Sequence, residues 1–154
     1  MKRSKPLMQL SREHHAALVL AKRAQRLAKG RPEDAQTFMS QLAAVFASEL
    51  EPHFQVEETA LLPALQDADE IGIVRDMIKR TLADHAALRE LSRRIADDDF
   101  ASLAPFGDVL DAHVRFEERE LFNLAESVLT PEALVGVEAA DVQRNCQCPA
   151  GIAS

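Results

Sequence analysis

The chain of 154 residues contains no tryptophan, no tyrosine and only two cysteines. Without tyrosine or tryptophan it has no side chains for an aromatic radical relay. Cys146 and Cys148 are too few for a disulfide framework, and a bond between such close neighbours is strained. We expect either free thiols on a loose tail or, because thiolates bind metals, a soft-metal or redox site.

Positive charge and long apolar runs are also scarce. The 18 Lys and Arg residues against 25 Asp and Glu give a formal net charge of -7, which disfavours nucleic acid and anionic membranes as partners. No run approaches the roughly 20 apolar residues that cross a bilayer, and residues 6–10 are not the apolar core of a signal peptide. We therefore expect a cytoplasmic protein with no membrane and no nucleic-acid partner.

Strand patterns are absent too, and almost the whole chain is typical of helix. Ala and Leu are abundant, Val and Ile are sparse, and no alternating pattern lasts six residues. Four long helices are predicted at about 7–29, 32–66, 71–96 and 100–128, with a short fifth helix at about 131–143. Pro52 and Pro63 should bend or end the second helix. Short connections favour an all-α, up-down-up-down four-helix bundle over residues 1–144, followed by a flexible tail at 145–154.

One motif occurs twice, sixty positions apart. Its two copies are His53-Phe54-Gln55-Val56-Glu57-Glu58 and His113-Val114-Arg115-Phe116-Glu117-Glu118. Residues four apart lie on the same face of a helix, so each copy points an imidazole and a carboxylate toward one place. The other three histidines, His14, His15 and His85, lie in the helices that precede the two copies. Every histidine of the chain therefore belongs to one repeated pattern.

Imidazole nitrogen and carboxylate oxygen suit iron, manganese or zinc, whereas the lack of cysteine in the set disfavours copper(I) and iron–sulfur chemistry. Taken singly, each feature has an ordinary explanation, such as a hydrogen-bonded core histidine or, for Glu58 and Glu118, a solvated helix face. Taken together they predict a pair of metal ions, because burying several histidines and glutamates without metal costs several kcal/mol. The predicted ligands are His53, Glu57, His85, His113, Glu117 and a histidine of the first helix.

The first-helix histidine has two candidates. Helical periodicity favours His14, whose apolar neighbours continue at the spacing seen after His85. The sequence His15-Ala16-Ala17-Leu18, however, repeats the order that begins at His85. His15 therefore stays open as a ligand or as a group beside the site.

This order of His, His-x-x-x-Glu, His, His-x-x-x-Glu resembles the hemerythrin-like, or HHE cation-binding, family over about residues 7–128. The resemblance implies two iron ions, rather than zinc or manganese, with His53, His85 and His113 as terminal ligands. It also implies that Glu57 and Glu117 bridge the irons together with an oxo or hydroxo group. The invertebrate oxygen carriers have a His-x-x-x-His pair on the third helix, but here Arg89 follows His85 at that spacing.

The resemblance implies a non-haem di-iron protein that binds O₂ or NO, for sensing, binding or buffering of oxygen or iron. The alternative is a di-iron enzyme that reduces NO or peroxide or repairs damaged iron centres. A third interpretation is a helical bundle in which zinc only stabilises the fold. The Glu-x-x-His motifs of ferritin-like proteins are absent, and without tyrosine an oxygen-activating oxidase is disfavoured. We therefore expect a binding protein rather than an enzyme.

Overall fold

The computed structural model describes residues 2–69 and 72–147, with side chains through residue 145. All regular structure in these ranges is helical, which confirms the all-α prediction. We number five helices in chain order: α1 Lys5–Ala28, α2 residues 32–68, α3 Ile73–Ala96, α4 residues 103–128 and α5 Pro131–Gln147. A single 3₁₀ turn, Phe100–Ser102, leads into α4.

Helices α2 and α4 are interrupted by wider, π-helical turns. In α2 the α-helical segments Pro32–Val45, Glu51–Val56 and Leu62–Ala68 are separated by π turns at Phe46–Leu50 and Glu57–Leu61. In α4 the π turn Glu117–Leu121 joins Leu103–Phe116 to Phe122–Val128. Each copy of the repeated motif thus ends in a π turn that begins at its first glutamate. Such turns are frequent at functional sites.

The two prolines of α2, which the sequence predicted would bend or end the helix, do not end it. A proline ring clashes with the carbonyl four residues earlier, which belongs to Ser48 for Pro52 and to Thr59 for Pro63. Both of these carbonyls lie inside π turns, where the backbone is wider than in an α-helix. We infer that the π turns accommodate the prolines, so residues 32–68 form one helical stretch.

The helices enclose two apolar clusters with a polar layer between them. Helix α4 packs against α1 and α3, α3 also packs against α2, and α5 packs against α1 and the middle of α2. On α1 and α3 the histidine lies between residues of the two clusters, and on α2 and α4 the motif spans the point where residues of the first cluster give way to residues of the second. The first cluster includes Ala17, Phe38, Leu88 and Phe106, and the second includes Leu7, Leu62, Val74 and Phe122.

A glycine sets how closely α1 and α4 approach. A Cβ atom on Gly107 would lie 2.7 Å from Cγ of Gln25 and 2.9 Å from the carbonyl oxygen of Ala21. The backbone oxygen cannot rotate away as a side chain can. Residue 107 must therefore lack a side chain for these two helices to pack as they do.

Helix α5 runs to Gln147, beyond the predicted end at about residue 143. The physical reason is that no proline or glycine lies between Gly136 and Pro149, so nothing in this stretch stops the helix. Cys146 therefore continues the helix, whereas Cys148 and the rest of the predicted tail lie outside the described residues. In the described part of the chain, no helix is long and apolar enough to cross a membrane.

Candidate metal centre

Four histidines and two glutamates meet in the polar layer between the apolar clusters. Each of the six residues is at most 3% exposed. They form two groups that share both glutamates, and the candidate ligand atoms within each group lie within 4.8 Å of one another. The first group is His14, His53, Glu57 and Glu117, and the second is His85, His113, Glu57 and Glu117.

Each shared carboxylate turns one oxygen toward each group. Oε1 of Glu57 lies 2.9 Å from Nε2 of His53, and its Oε2 lies 3.2 Å from Nε2 of His85. Oε2 of Glu117 lies 3.0 Å from Nε2 of His14, and its Oε1 lies 3.3 Å from Nε2 of His113. This is the arrangement that a carboxylate needs to bridge two cations.

The remaining geometry also fits cations. The Nε2 atoms of His14 and His53 are 3.1 Å apart, a separation suited to two nitrogen ligands of one ion at about 2.1 Å. Among the described residues, both carboxylates and the Nε2 atoms of His85 and His113 are buried without a hydrogen bond of good geometry. Buried polar atoms are nearly always satisfied, so these unpaired atoms fit a site that could hold metal ions.

The electrostatics of the centre favour positive charge. Burial lowers the pKa of His53, but the facing carboxylates of Glu57 and Glu13 outweigh burial and raise this pKa to about 9. Burial likewise opposes charge on His14 and Glu57. Their mutual contacts and those with neighbouring groups nevertheless hold the His14 pKa well above, and the Glu57 pKa well below, the usual range. Either protons or metal cations can supply the charge that these carboxylates stabilise.

Every histidine of the centre also contacts a carboxylate through its outer nitrogen, Nδ1. The carboxylate lies on the helix before that of the histidine, and α4 supplies the carboxylate for α1, so the four contacts form a closed ring. The ring consists of Glu13 with His53 at 2.6 Å, Glu58 with His85 at 2.8 Å, Asp84 with His113 at 3.3 Å and Glu118 with His14 at 2.7 Å. An ionised carboxylate only accepts hydrogen bonds, so Nδ1–H donates to it and Nε2 is the nitrogen that faces the centre. Such contacts orient metal-binding histidines.

The prediction that Glu58 and Glu118 are solvated helix faces is therefore wrong. Burial raises the pKa of Glu118, but hydrogen bonds from His14, Ser11 and Arg3 lower it to about 2. Burial also raises the pKa of Glu13, but hydrogen bonds from His53 and Arg144 lower this pKa to about 2. The sequence did contain a signal for these four outer carboxylates: each belongs to a residue directly next to a histidine or glutamate of the centre.

His15 lies outside both groups. Its side chain is exposed, whereas that of His14 is buried against Phe122, with ring centroids 4.9 Å apart. Consecutive helical residues point about 100° apart, so only one of the two can face the centre. The structure places His14 there, as the periodicity favoured.

Arg89 stands where a second histidine of the third helix would be. Its guanidinium binds both oxygens of Glu51 at 2.8 and 2.9 Å and Oε1 of Glu58 at 2.9 Å. It therefore supports the acid that holds His85 and adds no donor to the second group. Each group has two imidazoles.

A cavity of about 380 Å³ leads to the centre between α1, α2, α4 and α5. Three histidines of the centre, His14, His53 and His113, line it, and polar side chains including Arg12 and Arg144 also border it. Its apolar lining residues include Ala17, Leu20, Leu50, Phe54, Leu110 and Val114. A small molecule can therefore approach both groups through a largely apolar passage.

A family model described as the hemerythrin HHE cation-binding domain matches residues 5–125. The match covers α1, α2, α3 and most of α4, and it includes all six residues of the centre. Helix α5 lies outside it. Searches of curated proteins and of solved structures gave no significant match.

Proposed function

The chain belongs to the hemerythrin HHE cation-binding family, and we propose that it binds two iron ions and, at that di-iron centre, O₂ or NO. His14 and His53 would hold one ion, and His85 and His113 the other. Glu57 and Glu117 would bridge them. The observation that carries this proposal is that each glutamate turns one oxygen to each group. We further propose that α1–α4 form an up-down-up-down bundle, which lets four helices contribute to one layer.

The number of ligand atoms that the protein offers each ion helps to identify the metal. Two imidazoles and two carboxylate oxygens would complete the tetrahedral set of a structural zinc ion. Iron accepts more ligands, and positions left open on non-haem iron are where small molecules bind. A metal that only stabilises the fold needs no access from outside. The cavity that reaches three of the histidines therefore favours iron with an exchangeable ligand.

The surroundings favour binding over oxidation. Phe54, Leu110 and Val114 give the cavity beside the histidines an apolar wall, which suits an uncharged diatomic gas. The chain has no tyrosine or tryptophan to relay electrons through aromatic radicals. Bound iron supplies the redox chemistry for coordinating a diatomic gas, and the protein excludes water and positions the ligands.

The cavity volume supports a second candidate function. About 380 Å³ is roughly ten times the space of a water-sized molecule, so the cavity can admit a reactant larger than O₂. Such room is compatible with the enzymatic alternative, in which the centre reduces peroxide or NO or repairs damaged iron centres. Consumption of NO or peroxide over many turnovers would distinguish catalysis from stoichiometric binding.

The deciding experiment is metal analysis of protein purified without added metal, followed by absorption spectra of the reduced protein before and after exposure to O₂ or NO. We expect two irons per chain and a spectrum that changes on exposure and returns when the gas is removed. A spectrum that changes only irreversibly would indicate oxidation instead of binding. Zinc in both positions, or no metal uptake even after loading with iron(II), would contradict the di-iron proposal.

A further inference from the structure

Two arginines outside the family-matched residues 5–125 reach the acids that hold the first group. Arg144 of α5 donates from Nη1 to Oε2 of Glu13 at 3.3 Å and from Nη2 to Oε1 of the same carboxylate. Arg3, which precedes α1, donates from Nη2 to Oε2 of Glu118 at 2.7 Å and to its carbonyl oxygen at 2.8 Å. Glu13 holds His53 and Glu118 holds His14. Both imidazoles of the first group are therefore supported from outside the family domain.

Each of these arginines is itself fixed by a second acid. Arg144 pairs with Asp141, which lies one turn earlier on α5 and is only 3% exposed. Arg3 pairs with Glu126 at the end of α4. The two guanidinium groups are largely buried, with 14% and 16% of their side chains exposed. Each arginine is therefore held between two carboxylates and is not an exposed surface charge.

The second group is supported unequally. Glu58, which holds His85, binds Arg89 at 2.9 Å within the bundle. Asp84 holds His113 at 3.3 Å, and among the arginines that the structure describes only Arg80 pairs with it, at 4.0 Å and with 49% of the Arg80 side chain exposed. An exposed pair at that distance contributes little. His113 is thus the one histidine of the centre whose outer acid has no close arginine among the described residues.

We infer that Arg144 and Arg3 are positioning residues that make the two ion positions unequal. The ion held by His14 and His53 is bound more tightly and released more slowly than the ion held by His85 and His113. This inference rests on the proposed metal pair. A fixed acid keeps its histidine in the orientation and tautomer that bind metal, and loss of such support typically costs 10- to 100-fold in affinity.

Metal release tests the inference without any assay of activity. Protein loaded with two Zn²⁺ per chain would be mixed with excess chelator, and free zinc followed with time. We expect two phases of one ion each. Arg144→Ala should speed the slow phase about tenfold and leave the fast phase unchanged. Arg80→Ala, the matched variant of the other half, should leave the slow phase unchanged.

A double variant separates positioning from general loosening. Glu13→Gln alone should speed the slow phase, and adding Arg144→Ala should change it no further, because Arg144 acts through Glu13. Equal acceleration of both phases by Arg144→Ala would mean that α5 merely stabilises the fold, and it would overturn the inference. A single release phase in the unaltered protein would overturn it too, while leaving the metal pair intact. Failure to take up either Zn²⁺ or iron(II) would overturn the proposed function as well.

Discussion

The two halves of the matched domain, α1–α2 and α3–α4, carry the same set of ligands in different surroundings. Each half supplies an acid next to a histidine on its first helix and a His-x-x-x-Glu-Glu motif on its second. The π turns Glu57–Leu61 and Glu117–Leu121 begin at the same place in each motif. The rings of His14 and His53 are 4.8 Å apart and those of His85 and His113 are 4.9 Å apart. The repeat thus specifies a nearly symmetrical inner centre.

The surroundings break this symmetry. Phe54, which stacks on His85 at 3.9 Å, corresponds by sixty positions to Val114, and Phe122, which stacks on His14, corresponds to Leu62. The cavity is lined by α1, α2, α4 and α5 and not by α3. The motif therefore determines which atoms face the centre, while residues between and beyond the motifs make the surroundings of the two groups different.

The largest loss of metal should come from removing a carboxylate that faces both groups. We expect Glu57→Ala or Glu117→Ala to lose most of both ions, because each glutamate faces both groups. Metal analysis after loading measures this directly. Glu120→Ala, which alters an exposed acid of the same π turn as Glu117, is the matched control and should retain both ions. Full metal retention in both Glu57→Ala and Glu117→Ala would refute the bridging assignment.

A smaller loss of metal should follow from removing a histidine that faces only one of the two groups. His14→Ala should lower the content toward one ion per chain, and His85→Ala should do the same from the other half. His15→Ala should keep both ions because its side chain is exposed. Equal loss in the His14 and His15 variants would contradict the geometry. Loss of both ions in His14→Ala would show that the two positions fill only together.

Local pattern was sufficient for the inner residues of the centre and insufficient for the outer ones. The four-residue spacing of His53 and Glu57 fixes a shared helix face whatever else the fold does. The same helical geometry favoured His14 over His15. Which acid meets the outer nitrogen of His85 depends instead on which helix lies beside α3. Glu58 is on α2, and no spacing within one helix reports that neighbour.

The π turns of α2 and the contacts of α5 could not be predicted from the sequence for a related reason. Pro52 and Pro63 predict disruption from local rules, but a π turn is a second way to accommodate a proline, and packing selects it. The role of Arg144 depends on the docking of α5 against α1, over a separation of 131 residues from Glu13. Contacts of this kind follow from the tertiary structure and not from periodicity.

The smallest predicted effect comes from copying an aromatic residue of one half into the matching position of the other half, with all proposed metal ligands unchanged. Val114→Phe gives α4 the aromatic residue that α2 has at Phe54 and places it in the cavity wall. Leu62→Phe likewise copies Phe122 into α2, at a buried residue away from the cavity lining. Both enlargements should cost about 1–3 kcal/mol of unfolding free energy through overpacking.

Only Val114→Phe should also slow the spectral change on rapid mixing of the reduced, iron-loaded protein with O₂ or NO, by several-fold and with both ions retained. If the two variants slowed this reaction equally, access would not run through the cavity, and the asymmetry around the centre would serve metal retention alone.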